Sequence, residues 1–115
     1  MNIQATAAEL AVAKYLNVYP DLSPRAGELP QFDLHMNHQL LEVKRNHLLD
    51  GDLLVPKLRQ DVIYILACGE MPEFSIIGWM TGARVPECGE WALLLYGPCW
   101  RVRPCHLKAM EHINV

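Results

Sequence analysis

The sequence predicts one domain of the α/β or α+β type, an N-terminal helix packed on a mixed β-sheet. Three observations carry this. The opening residues repeat their apolar positions at helical spacing, "QFDLHMNHQLLEVKR" alternates as a hairpin, and two downstream runs are apolar enough for buried strands. The chain has 115 residues, a length that suggests a single domain. Hydrophobic residues make up 51% of it, sufficient for a packed core and too many for disorder.

The first element is "IQATAAELAVAKYL". Ile3, Ala7, Leu10 and Ala11 recur at helical spacing, with Lys14 on a more exposed side. Thr6 followed by Glu9 has capping-box form, and Asn17 and Pro20 supply stop signals. "YPDLSPRAGELP" is loop by its Pro, Gly and Ser content. The hairpin follows. Beyond it, "NHLLDGDLLVPKLRQ" turns at Asp50 and Gly51 and is then either a short helix or an extended arm; Pro56 argues against a long helix. "DVIYILACG" suits a strand buried on both faces, and "EFSIIGWMTG" suits another, joined to it by a turn at "EMPE". "EWALLLYG" is helix or strand. "CWRVRP" reads as a final strand and "CHLKAMEHI" as a closing helical turn.

Formal net charge is -3, which leaves no electrostatic footprint for avid, indiscriminate nucleic-acid binding. A local basic patch or a bound cation can still offset acids at a cleavage site. The longest apolar stretches are too short to span a bilayer, and no basic region precedes an apolar run as in a signal peptide. A cytoplasmic setting is expected, the host cytoplasm if the chain is phage-encoded. Cys68, Cys88, Cys99 and Cys105 form no C-x-x-C pair and are expected as thiols. Cys99, Cys105, His106 and His112 crowd the tail, but their spacing fits no standard zinc module.

The hairpin raises a chemical question. With a loop of two residues, Asn37 and His38, the register places Met36 by Gln39, His35 by Leu40, Leu34 by Leu41, and Asp33 by Glu42. A four-residue loop keeps this register; a three-residue loop breaks it. Phe32, Leu34, Leu41 and Val43 then face the core. Asp33, Glu42 and Lys44 share the other face. Opposed Cβ atoms lie roughly 4.5–5.5 Å apart, where like charges repel. The trio is either a solvated charge cluster balanced by Lys44 or a cation site. Mg²⁺ takes carboxylate oxygens at about 2.0–2.1 Å and keeps several waters.

These residues resemble the PD-(D/E)XK nuclease superfamily, whose mark is an acid at the end of one strand and acid-x-lysine on the next. Here the pattern is Asp33, eight intervening residues, and "EVK" at 42–44. Many members carry a glutamate on the preceding helix, where Glu9 stands. The arrangement covers roughly the first 45 residues. "DVIYILACGEMPEFSIIGWMTG" also looks like the later strands of small phage-type members, and "YGPCWRV" with "HLKAM" looks like their C-terminal end. The usual Pro-Asp pair is absent, since Phe32 precedes Asp33, and the helix expected after E-x-K is interrupted by Pro56.

The resemblance implies a restriction-endonuclease-like fold and hydrolysis of DNA phosphodiester bonds with Mg²⁺ or Mn²⁺, and no further small-molecule cofactor. Asp33 and Glu42 would hold metal, Lys44 would orient water and stabilise charge on the phosphate, and Glu9 would be an outer or second-metal ligand. Glu9 reads equally as a helix cap. His35, Arg45 and Arg25 are candidate substrate contacts. Dimerisation would help so short a chain span a duplex, with "IIGWM" as a candidate edge. The alternatives are a non-catalytic binding or inhibitory protein on the same scaffold, suited to the mild acidity, and a zinc-tailed interaction module.

Overall fold

A computed structural model describes residues 3–17, 34–36, 39–95 and 97–113. The first helix, α1, spans Ile3–Leu16. Five alanines among its fourteen residues favour the helix, and Lys14 complements the negative end of its dipole. Asn17 ends it in the left-handed region at φ 56°, its N–H donating to the Lys14 carbonyl at 3.2 Å. Because α1 starts at Ile3, Thr6 and Glu9 lie within it and form no N-terminal capping box.

The face that α1 buries also differs from expectation. Ala8, Val12 and Ala13 are buried, whereas Ile3 is 59% and Leu10 44% exposed. Apolar residues occur all round this helix, so spacing alone does not single out one face. The buried set is small, which lets the helix lie close to a sheet.

That sheet has the order β1-β2-β4-β5, with β1 at Leu34–Met36, β2 at Gln39–Asn46, β4 at Val62–Glu70 and β5 at Glu73–Thr81. The β1–β2 register matches expectation at its three described pairs: Leu34 by Leu41, His35 by Leu40, and Met36 by Gln39. β2 runs parallel to β4 and β4 antiparallel to β5, so the sheet is mixed. β4 is central, and every residue from Val62 to Gly69 is buried. Its β-branched run therefore faces apolar neighbours on both sides. The turn at Met71 and Pro72 joins Glu70 to Glu73.

Ala8, Val12 and Ala13 pack with Leu41, Ile63, Ile65, Ala67 and Trp79 on one face of the sheet. The other face is covered by a second sheet, a feature absent from the sequence-based expectation of one sheet. Its order is β3-β7-β6, all antiparallel, with β3 at Leu53–Val55, β6 at Glu90–Leu94 and β7 at Gly97–Val102. Leu53, Val55 and Val102 pack there against Val62, Tyr64, Leu66 and Cys68. The architecture is α+β.

The connector after β2 is thus an extended arm, and no helix lies between β2 and β4. Asn46 organises the turn: its Oδ1 accepts from the Leu48 N–H, and its Nδ2 donates to the Asp52 carbonyl, both at 3.0 Å. Gly51 lies against the Asn46 carboxamide, and a side chain there would collide with it. A short helix, α2, spans Val85–Cys88, and two 3-10 turns, Pro104–His106 and Met110–His112, form the tail. The tail meets β5 through reciprocal backbone bonds between Trp79 and Lys108, at 3.0 and 2.9 Å. Trp79 also donates from Nε1 to the Ala109 carbonyl at 3.0 Å.

Candidate functional site

Alternation along β2 separates its side chains. Leu41 and Val43 face α1, while Leu40, Glu42 and Lys44 point toward the second sheet. The parallel register sets Glu42 beside Tyr64 and Lys44 beside Leu66 on β4. Both charged side chains are half-buried. Lys44 Nζ lies 3.4 Å from Glu42 Oε1. Glu42 Oε2 is buried and has no hydrogen-bond partner among the described residues.

Tyr64 forms the floor beside that oxygen. Its hydroxyl accepts from the Arg59 N–H at 2.8 Å and donates to the Lys57 carbonyl at 3.4 Å. The phenol thus lies between the backbone of the connector and the Glu42 carboxylate, which also interacts with it. Burial raises the Tyr64 pKa above the usual tyrosine value, and the charge on Glu42 adds to the rise. Nothing in "DVIYILA" marks Tyr64 for this position except a polar atom within an apolar run. Its neighbour follows only from the parallel pairing of β2 with β4.

The remaining sequence-derived candidates divide. His35 is exposed on β1 and pairs with Leu40, so it shares the Glu42 face. Asp33 and Arg25, with the pairing of Asp33 and Glu42, lie outside the described residues. Glu9 is carried on α1, which covers the opposite face, so the fold does not bring it to Glu42 and Lys44. Arg45 also turns toward the α1 face. Its Nε donates to the Gly69 carbonyl at 3.1 Å, and Nη2 lies 3.9 Å from Glu70 Oε1. It pins the β4–β5 hairpin and is not placed to contact a substrate at Glu42.

Among the described residues no group of three or more His, Cys, Asp or Glu side chains is gathered as metal ligands. The tail set does not assemble either: Cys99 is buried on β7 and Cys105 is exposed. "IIGWM" is occupied as well, since Trp79 is buried and bonded to the tail. A cleft of about 230 Å³ on the outer side of the second sheet is lined by Cys88, Gly89, Glu90, Arg101, Arg103 and His106. Within it Glu90 and Arg101 neutralise each other through contacts of 3.1 and 2.6 Å. No described helix is long and apolar enough to cross a membrane. No family model, curated protein or solved structure matches the chain.

Proposed function

We propose that the chain is a Mg²⁺- or Mn²⁺-dependent deoxyribonuclease of the PD-(D/E)XK type, with a restriction-endonuclease-like fold and a site built on β2. The observation that carries this reading is the buried Oε2 of Glu42, to which no described residue is hydrogen-bonded by distance and angle, beside the ammonium of Lys44. A buried carboxylate oxygen with no donor is costly, and a hard cation is the partner that suits it. The donor set therefore fits the metal the sequence pattern implies. Asp33, which precedes Leu34 in sequence and lies outside the described residues, would supply the second acid.

Glu42 would hold the cation through Oε2, together with Asp33. A divalent ion in such a place acts as a Lewis acid and lowers the pKa of its water. Lys44 is held beside Glu42 as a fixed positive charge, suited to orienting the attacking water and to countering charge on the phosphate.

A second reading is a non-catalytic binding protein. The Lys44–Glu42 ion pair favours it, since it already balances one carboxylate oxygen without metal. Cleavage separates the two. Purified full chain, supplied with Mg²⁺ or Mn²⁺, should cut at least one of single-stranded, duplex or branched DNA. Asp33→Ala should abolish cutting, and Lys44→Ala should lower the rate by about a hundredfold or more. No cutting of any of these forms with either ion, at protein in excess of DNA, refutes the nuclease and leaves the binding protein.

A further inference from the structure

β6 is an edge strand. Among the described residues it pairs only with β7, and its other edge presents unpaired backbone donors and acceptors. Its side chains are unusually apolar for such a position. Trp91 is 55% and Leu93 83% exposed, and Leu95 at the end of the hairpin strand is 91% exposed. Trp91 and Leu93 lie on one face, across from Trp100 and Pro98 of β7. The Trp91 and Trp100 rings meet edge to face, with centroids 5.4 Å apart, and Trp100 continues into the core beneath the second sheet. The exposed face is therefore continuous with the side of the second sheet that carries the core.

We infer that β6 is the contact through which two copies of this chain associate, pairing antiparallel across a two-fold axis. The strand is self-complementary. With the axis at Ala92, Trp91 of one copy stands opposite Leu93 of the other, and the reverse contact follows by symmetry. Glu90, the only charged residue of β6, falls opposite Leu94, so no like charges meet. Its charge is already neutralised within each copy by Arg101. Edge strands that stay single usually carry lysine, proline or inward-pointing charge, and β6 has none of these. A strand partner satisfies both the open backbone edge and the apolar face. A stacked base or a lipid tail would cover the face and leave the backbone edge unpaired. The contact is separate from the Glu42 site and does not depend on the nuclease reading.

Sedimentation of the full chain across a wide concentration range tests it. The expected result is a monomer–dimer equilibrium that Leu93→Lys weakens by about 30-fold or more, since two symmetric pairs are lost and two ammonium groups are introduced. Leu93 is so exposed that the variant should keep the wild-type circular dichroism spectrum and melting temperature when monomeric. Leu93→Pro, which removes an N–H that alternation turns to the open edge because residue 93 faces Pro98 across the hairpin, should act in the same direction. A wild-type chain that stays monomeric throughout overturns the inference. So does a dimer whose affinity neither substitution changes, because its contact then lies elsewhere.

Discussion

Replacing Glu42 by leucine should make the protein more stable while removing the proposed cleavage. In the wild type, Glu42 Oε2 is buried without a donor among the described residues, a situation that costs about 1–3 kcal/mol. The other oxygen gains an ion pair with Lys44 at 3.4 Å, and half-buried pairs of this kind return at most about 1 kcal/mol. Leucine removes both terms, suits a strand interior, and leaves Lys44 able to extend its ammonium to water. The balance favours Glu42→Leu by about 1 kcal/mol, or about 4 °C in melting temperature for a chain of this size. Thermal unfolding in the presence of a chelator measures it. Adding Mg²⁺ should then reverse the order. A bound ion at a hundred times its dissociation constant stabilises the wild type by about 2.7 kcal/mol and leaves the variant unmoved. A Glu42→Leu protein that loses more than 1 kcal/mol in chelator refutes the reasoning, because the buried oxygen would then have a partner that holds the fold.

Two further outcomes follow from the charged and polar groups. Tyr64 has a raised pKa, so its phenol should ionise after those of ordinary tyrosines in a spectrophotometric titration. The folded value lies above the unfolded one, near 10, so stability is intact below that pH and falls as pH rises toward the folded value; Tyr64→Phe should flatten this alkaline loss while costing about 1–2 kcal/mol in urea unfolding, since the Arg59 N–H loses its acceptor. Glu90 has a lowered pKa because Arg101 donates to it, so the contribution of this pair is present above the ordinary carboxylate range and is lost as pH falls through the lower folded value. An NMR titration of the Glu90 carboxyl should show a midpoint below that of an unperturbed glutamate, and Arg101→Ala should return it to the ordinary range.

How much was legible in the sequence depended on whether a residue's environment is set by its neighbours in the chain. β4 was legible because a run of Val, Ile, Leu and Tyr buried on both faces needs no partner to be recognised. The hairpin was legible because its short loop sets the register, as the pairing of Met36 with Gln39 shows. The face of α1 was not, since alanine satisfies exposed and buried positions alike. The second sheet was hidden because β3 is only three residues long and pairs with β7 from the other end of the chain. "EWALL" proved to be a strand because it pairs with the adjacent β7 in a tight hairpin, which its continuous apolar run does not distinguish from a helix. Strand alternation put Glu42 and Lys44 on one face, and the structure has them there, 3.4 Å apart. Tyr64 escaped notice because its place beside Glu42 follows only from the parallel pairing of β2 with β4, which tertiary packing fixes.

The two sheet edges end differently, and this bears on where the chain tolerates interruption. At β5 the tail crosses the edge: Lys108 exchanges two bonds with Trp79, and Met110 enters the core beside it. Gly78 permits the crossing, since a side chain there would meet the Lys108 carbonyl. The tail is short and barely helical, yet it works as a latch. A protease cut or a premature stop before Leu107 would unlatch a strand that already carries Ile76 and Trp79, and would give the molecule a second adhesive edge. A chain with one such edge closes into pairs, whereas a chain with two can propagate. The last turns of the polypeptide would thus separate limited self-association from open-ended aggregation.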